Sequence, residues 1–437
     1  MVAVSAAPAR LWHVPGFVPL AVSSWMWHVT RWGTLFCSTY LMTQLSGAPI
    51  LNQLVGASIF APLLAGGLLG VGTLADRVSR RTLILRAELV LLPLTALMYV
   101  LVATEAVRPW MIYPFALAVG TGGLINVVSQ RPMMYEIGGP RFASRALAIE
   151  MAGSASSSVA GTLLGGTIIE TVGISAAFGL ILVPLGLSAL LLLAVPDPTR
   201  PASPAPVGEV SGAGGAGGPG AAGPPSPPPA ALPPLLVSVL GVTIILNLFF
   251  APFTPLVPVM ADRLGASAFL TGVLAASGGV GQFCGGLFFG SHVQVRRGRV
   301  YAFGVGAALV GVICFALSPV LWMASLCLVL GGVGHGGFNA AQSVLVIESV
   351  GPQDRGWALG KLSMAIGCMP VGQITMGLVA EAIGAPAAIV CVAATGLVVL
   401  ACWLRWRPQV VQLRSTPPPK AVEVAVAAEV DASLAAG

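Results

Sequence analysis

The chain has 437 residues, of which 56% are hydrophobic and only 8% are charged, against about 25% charged in an ordinary soluble protein. So little polar surface cannot clothe a water-soluble fold, which excludes a set of soluble domains. The 21 Lys and Arg outnumber the 15 Asp and Glu for a net charge of +6, but they sit in short connections, where they mark membrane topology rather than a nucleic-acid surface.

A bilayer span needs about 20 predominantly apolar residues. Six such stretches run over 16–43, 49–72, 84–104, 110–135, 146–169 and 173–195. Residues 196–233 then change character to Pro, Gly and Ala, as in Gly212-Ala213-Gly214-Gly215 and Pro227-Pro228-Pro229. Such a segment buries no core and reads as a flexible linker. Six more stretches follow at 234–260, 268–291, 300–318, 320–346, 357–380 and 385–405, with a polar, Pro-containing tail over 406–437. None alternates polar and apolar residues as barrel strands do, so helices are expected. The predicted architecture is an all-α membrane protein of twelve transmembrane helices. Two six-helix bundles, 1–195 and 234–405, flank the linker, and the tail is expected to be disordered. The opening residues lack an apolar region before a small-residue cleavage site, so the first helix is expected to anchor itself. With both termini in the cytoplasm, 18 of the 21 basic residues fall on the cytoplasmic side, as the positive-inside rule requires. Arg108 and Arg263 fall outside and Arg31 lies within a span. The seven cysteines form no CxxC pair and have no His at ligand spacing, so neither a disulfide framework nor a metal site is expected. No phosphate-binding G-x-x-x-x-G-K-[ST] loop, catalytic triad or paired active-site carboxylates stands out, and no cofactor is expected.

The halves resemble each other. A shift of 211 residues places Gly161 on Gly372, Gly166 on Gly377, Glu170 on Glu381 and Gly173 on Gly384. A shift of 212 places Glu136 on Glu348. An internal repeat of six helices is the pattern of a rocking secondary transporter. Small residues four apart, such as Gly161 and Gly165, let helices approach closely in lipid. Static packing and a sliding interface explain Gly161, Gly165, Gly166, Gly372 and Gly377 equally well.

After the second span comes Gly72-Thr73-Leu74-Ala75-Asp76-Arg77-Val78-Ser79-Arg80-Arg81. This resembles the signature loop of the major facilitator superfamily, at the place between spans two and three where that family carries it. The first two helices, with Trp25-Met26, Trp32, Leu41-x-x-x-Leu45 and Gly47, look closest to its exporter-like branch of siderophore, macrolide and drug efflux proteins. The resemblance implies alternating access in a bacterial cytoplasmic membrane, a monomer, and a latch. In that latch Asp76, ringed by Arg77, Arg80 and Arg81, meets the start of the eleventh helix near Lys361, with Arg131 as a further partner. The pattern is incomplete: Gln294 replaces the acid in the second half, and Thr162 replaces the proline of the antiporter motif.

The resemblance also implies that helices one, four, seven and ten line a central cavity. Candidate substrate residues there are His28, Arg31, Trp32, Asn126, Gln130, Asn247, His335 and Asn339. A charge such as Arg31 within a span calls for water, an anion or a partner. Glu88, Glu150 and His28 are the candidates for proton coupling, although either carboxylate could instead pair with loop arginines. The expected function is proton-coupled efflux of an amphipathic small molecule. The alternatives are import of a small anionic nutrient held by Arg31, or a transporter-like sensor or assembly protein.

Overall fold

The computed structural model of the chain describes residues 10–69, 79–196, 232–292, 297–351 and 354–413. Every regular element among them is helical. The long rods are α1 (Phe17–Leu45), α2 (Pro49–Leu69), α3 (Arg80–Ala103), α4 (Pro109–Gly139), α5 (140–171) and α6 (Ile174–Leu193), then α7 (Pro234–Arg263), α8 (Ala268–His292), α9 (Arg297–Leu317), α10 (Leu321–Glu348), α11 (Arg355–Ile366 and Met369–Ile383) and α12 (Ala385–Trp406). Ten of them are long and apolar enough to cross a membrane. The expectation of twelve such spans is therefore met only in part. The other two, α1 and α5, are long but carry more polar residues, among them Ser23, Ser24 and His28 on one and Glu150 and Ser156 to Ser158 on the other. These two helices pack against each other, so the polar groups answer one another instead of facing lipid.

Four boundaries differ from the sequence expectation. The loop expected at 136–145 is helical on both sides of Gly139, where one residue at φ 63°, ψ 174° separates α4 from α5. Pro140 follows, and Gly is the residue that takes this conformation without strain. The seventh helix changes type within one rod. It is α-helical to Ile245, π-helical over Leu246–Phe250, 3-10 over Ala251–Leu256 and α-helical again to Arg263. Pro252, Pro255 and Pro258 remove the donors a regular helix needs. The eleventh helix breaks at Gly367 and Cys368, just before Pro370. The tail, expected to be disordered from 406, begins with the short helix Gln409–Gln412. Its fully buried Val410 presses its carbonyl against Gly298 at the start of α9.

The two halves repeat each other in three dimensions. Gly173 and Gly384 both adopt positive φ, 116° and 84°, at the tight turns that enter α6 and α12. Gly161 lies against the backbone of α1, where an added Cβ would stand 2.8 Å from Gly33 N and Val29 O. Its repeat mate Gly372 lies against the backbone of α7, 2.5 Å from Leu248 O. Each thus joins α5 or α11 to the first helix of its own half. Gly165 makes room for Phe36 in the same α1 seam. Gly166 and Gly377 face the other way, across the boundary between halves. Gly166 meets Ala268 O and Gly272 of α8, and Gly377 meets Ile50 and Gln53 of α2. The halves touch along these two seams, α5 on α8 and α2 on α11; the second continues past mid-helix, where Gly367 meets the backbone of Leu64.

Each half has its own core. In the second half a stacked pair, Tyr301 and Phe338, lies 4.7 Å between centroids beside Phe315, Val242 and Met376. The Tyr301 hydroxyl donates to Val239 O at 2.9 Å and sits 2.6 Å from Thr243 Oγ1. Tyr301→Phe keeps the stack and leaves that carbonyl and hydroxyl short of a partner. It is expected to lower stability by about 1 to 2 kcal/mol, readable as an earlier thermal unfolding midpoint of detergent-purified protein.

Candidate functional site: a central cavity and two buried carboxylates

A cavity of about 160 Å³ lies between the halves. The first half supplies Trp32, Phe36 and Thr39 from α1, Phe60 from α2 and Ser158 and Thr162 from α5. The second half supplies Asn247, Phe250, Phe253 and Thr254 from α7, Gln282 from α8 and His335 from α10. Residues 32, 35, 36 and 39 recur at helical spacing, so one face of α1 forms the wall. None of the lining residues described is an Asp, Glu, Lys or Arg. The walls are aromatic and aliphatic, with a few amides, hydroxyls and one imidazole. Such a surface holds an apolar body and orients it through a small number of hydrogen bonds. His335 stands edge-on to Phe250, ring centroids 4.9 Å apart. The Asn247 amide donates to Thr243 O at 2.9 Å, which fixes the side chain at the point where α7 turns π-helical.

The predicted cavity residues separate into two groups. Trp32, Asn247 and His335 line the cavity. Asn126 and Gln130 do not. They are buried within the first half, 3% and 1% exposed, and the Gln130 amide points to Leu20 O at 3.5 Å. Asn339 is half-buried on α10, outside the lining. Arg31 is not among the lining residues either. Its guanidinium lies 5.0 Å from the ring centroid of Phe60, which does line the cavity, a cation–π geometry.

His28 continues the α1 stripe one turn toward the linker end, and there it meets Glu150. His28 Nε2 is 3.1 Å from Glu150 Oε1, and the Ser24 hydroxyl donates to Glu150 Oε2. Both His28 and Glu150 are buried. Two residues chosen separately from the sequence thus form one site. Glu150 lies eight residues from Ser158 on α5, about 12 Å along the helix, so the site sits below the cavity. A second carboxylate, Glu88 on α3, is 1% exposed. Ser188 Oγ donates to its Oε1 at 2.7 Å, and Ser23 Oγ lies 3.0 Å from Ser188 Oγ. Adjacent serines of α1 therefore lead to the two carboxylates, Ser23 toward Glu88 and Ser24 toward Glu150. The serines escaped the sequence reading because nothing in residue spacing says which distant helix a hydroxyl will face. All buried carboxylates described lie in the first half, while the amides and imidazole of the cavity come from the second.

At the linker end, Arg80 pairs with Glu136. In the second half Arg297 pairs with Glu348, the repeat mate of Glu136, at 2.8 Å. Arg81 donates to Leu192 O and Leu193 O, at 2.8 and 2.9 Å, and so caps the C-terminus of α6. Lys361 lies 5.8 Å from the Trp357 ring centroid. Gly72, Asp76 and Arg77 lie outside the described residues, as does the side chain of Arg131.

Residues 236–433 match the Major Facilitator Superfamily. No curated protein matches the chain. Among solved structures, the chain is similar to a bacterial homolog of the human lysosomal transporter Spinster in an inward-facing, occupied conformation. That likeness has 16% identity and a TM-score of 0.71, over 95% of this chain and 100% of that one. It is also similar to the nucleoside transporter NupG, at 15% identity and a TM-score of 0.58, over 89% of this chain and 99% of that one. At these identities the likeness is one of fold. With the family match and the apolar helices it indicates a multi-pass membrane transporter and not an enzyme.

Proposed function

We propose that the chain is a secondary active transporter that exports an amphipathic small molecule by alternating access, coupled to protons. The observation that carries this reading is the central cavity, walled by both halves, with aromatic rings and a few neutral polar groups and no charged lining residue among those described. A small anionic nutrient would need a cation in the wall, and Arg31 is not among the lining residues. Glu150 with His28 and Ser24 is the coupling site and Glu88 its second carboxylate. Rocking of the halves opens the cavity to one side at a time. The distribution of basic residues supports reading the linker end as cytoplasmic, in a bacterial inner membrane. Asp76 latches that end against α11, Pro/Gly-rich residues 196–233 need only tether the halves, and the protein works as a monomer.

The test is accumulation of dyes and antibiotics in a pump-depleted bacterial host, with a protonophore arm and an Asp76→Asn arm. Lower accumulation of at least one compound, abolished in both arms, is the expected result. Higher accumulation of a compound overturns export. Within the cavity, Asn247→Leu is expected to change which compounds are extruded while leaving the protein's abundance in the membrane unchanged. Its loss of one amide from the wall predicts a shift of about tenfold between polar and apolar compounds, the scale of about 1.4 kcal/mol. An unchanged profile would remove Asn247 from the substrate contacts.

A further inference from the structure

The cavity wall contributed by α7 is also the least regular backbone described in the chain. Its residues Phe253 and Thr254 lie in the 3-10 stretch Ala251–Leu256, and Asn247 and Phe250 lie in the π-helical stretch before it. Prolines stand at 252, 255 and 258, three residues apart. In a 3-10 helix each carbonyl looks to the N–H three residues on. The carbonyl of Pro252 therefore faces Pro255, and that of Pro255 faces Pro258, and proline has no N–H to offer. Two carbonyls are left without that donor in the interior of a membrane protein, where an unsatisfied backbone group costs several kcal/mol.

Both face polar groups of the other half. Gln53 Nε2 of α2 donates to Pro252 O at 2.7 Å. The Asn52 amide, whose two N–H groups are held by Thr43 Oγ1 at 2.7 Å and Thr39 O at 3.1 Å, also lies 3.3 Å from Pro255 O and shares a hydrogen with it. Gln53 and Asn52 are fully buried. Gly56, one turn further along α2, lies against Pro255 and Gln373, where an added Cβ would stand 2.6 Å from the proline ring. These contacts belong to the seam at the end away from the linker, beside Ile50 and Gly377.

We infer that Gln53 and Asn52 are positioning residues that tie the substrate-binding stretch of α7 to closure of the end away from the linker. The same hydrogen bonds shape the cavity wall and hold the halves together there. Parting the halves strips Pro252 O and Pro255 O of their donors, so α7 must find another geometry and the cavity changes as that end opens. This inference rests on the alternating-access reading, but its test needs no substrate and is independent of transport direction.

The experiment is a distance measurement between spin labels at Gly47→Cys and Ala387→Cys, in a cysteine-free full-length protein in liposomes. The labels sit on opposite halves at that end. Gln53→Leu is expected to raise the population at longer distance by about fivefold, the factor equivalent to the loss of about 1 kcal/mol from one hydrogen bond. Pro255→Ala restores an N–H within α7 for Pro252 O. In that background Gln53→Leu is expected to shift the distances less than twofold. If Gln53→Leu does not yield folded protein, Gln53→Asn, with its shorter reach, must show the same shift to longer distance. Unchanged distances in the folded variant, or an equal shift with and without Pro255→Ala, would overturn the inference. Loss of transport with unchanged distances would overturn it and leave the transport reading standing.

Discussion

Glu150→Gln is expected to abolish proton-driven export while leaving a folded protein that still exchanges substrate across the membrane. Glu150 is buried between α1 and α5, with His28 on one oxygen and Ser24 on the other. Glutamine has the same shape and can keep one hydrogen bond to each neighbour, so the packing survives. It cannot take up and release a proton. The cavity lies about two helical turns away and loses no lining group. Transport driven by an imposed pH gradient in proteoliposomes should therefore fall about a hundredfold or more, the scale on which losing a positioned proton-transfer group acts. Counterflow of labelled substrate, which needs no net proton movement, should stay within a few-fold of the parent. His28→Ala should act in the same direction but more weakly, since Ser24 still holds the carboxylate. A Glu150→Gln protein that extrudes substrate at the parent rate, with unchanged protonophore sensitivity, would remove Glu150 from the coupling mechanism. Coupling would then fall to Glu88, whose Ser188 and Ser23 partners make it the next variant to measure.

Two glycine substitutions should separate packing that builds a half from packing that moves between halves. Gly281 lies where α8 crosses α10, and an added Cβ would stand 2.0 Å from Val329 O. The obstacle is backbone in the same half, and no rotamer relieves it. Gly281→Val should cost about 3 kcal/mol or more, a large part of a net stability of about 5–15 kcal/mol. Little folded protein should emerge from size exclusion in detergent. Gly166 is also crowded, an added Cβ standing 2.7 Å from Ala268 O, but its obstacle belongs to the other half. The halves can part to accept Gly166→Val, so each half should fold with near-parent yield. The end away from the linker should then fail to close, and transport should be lost. Gly286, with nothing within 4 Å of an added Cβ, serves as the tolerant control. Equal loss of folding in Gly166→Val and Gly281→Val would assign the α5–α8 seam to static packing alone.

The repeat was the most informative feature legible from residues alone. It foretold that Gly173 and Gly384 would do the same job, and both hold a positive-φ turn. It paired Gly161 with Gly372 and Gly166 with Gly377, and each pair meets corresponding helices. It could not say which seams lie within a half and which cross between halves, because periodicity assigns a face to a residue but not a partner to that face. The same limit explains the site. His28 precedes the cavity-lining Trp32 by one helical turn, yet its meeting with Glu150 spans 122 positions of sequence. Asn126 and Gln130 share a face of α4, as expected, but that face turns into the first half. The type changes within α7 were legible in principle. Three prolines at a spacing of three are incompatible with a regular α-helix, and the adjacent polar pair Asn52-Gln53 in an otherwise apolar span is the matching signal.

The separation of buried carboxylates in the first half from cavity amides in the second has a consequence for how such a protein can change over generations. Variation in α7, α8 and α10 can retune what is recognised without touching the acids and serines of α1, α3, α5 and α6. The two tasks are inherited side by side on one chain but can drift at different rates. A hybrid carrying this first half and a relative's second half would then inherit its driving force and the α1, α2 and α5 share of the wall from one parent, and the amides and imidazole that orient cargo from the other.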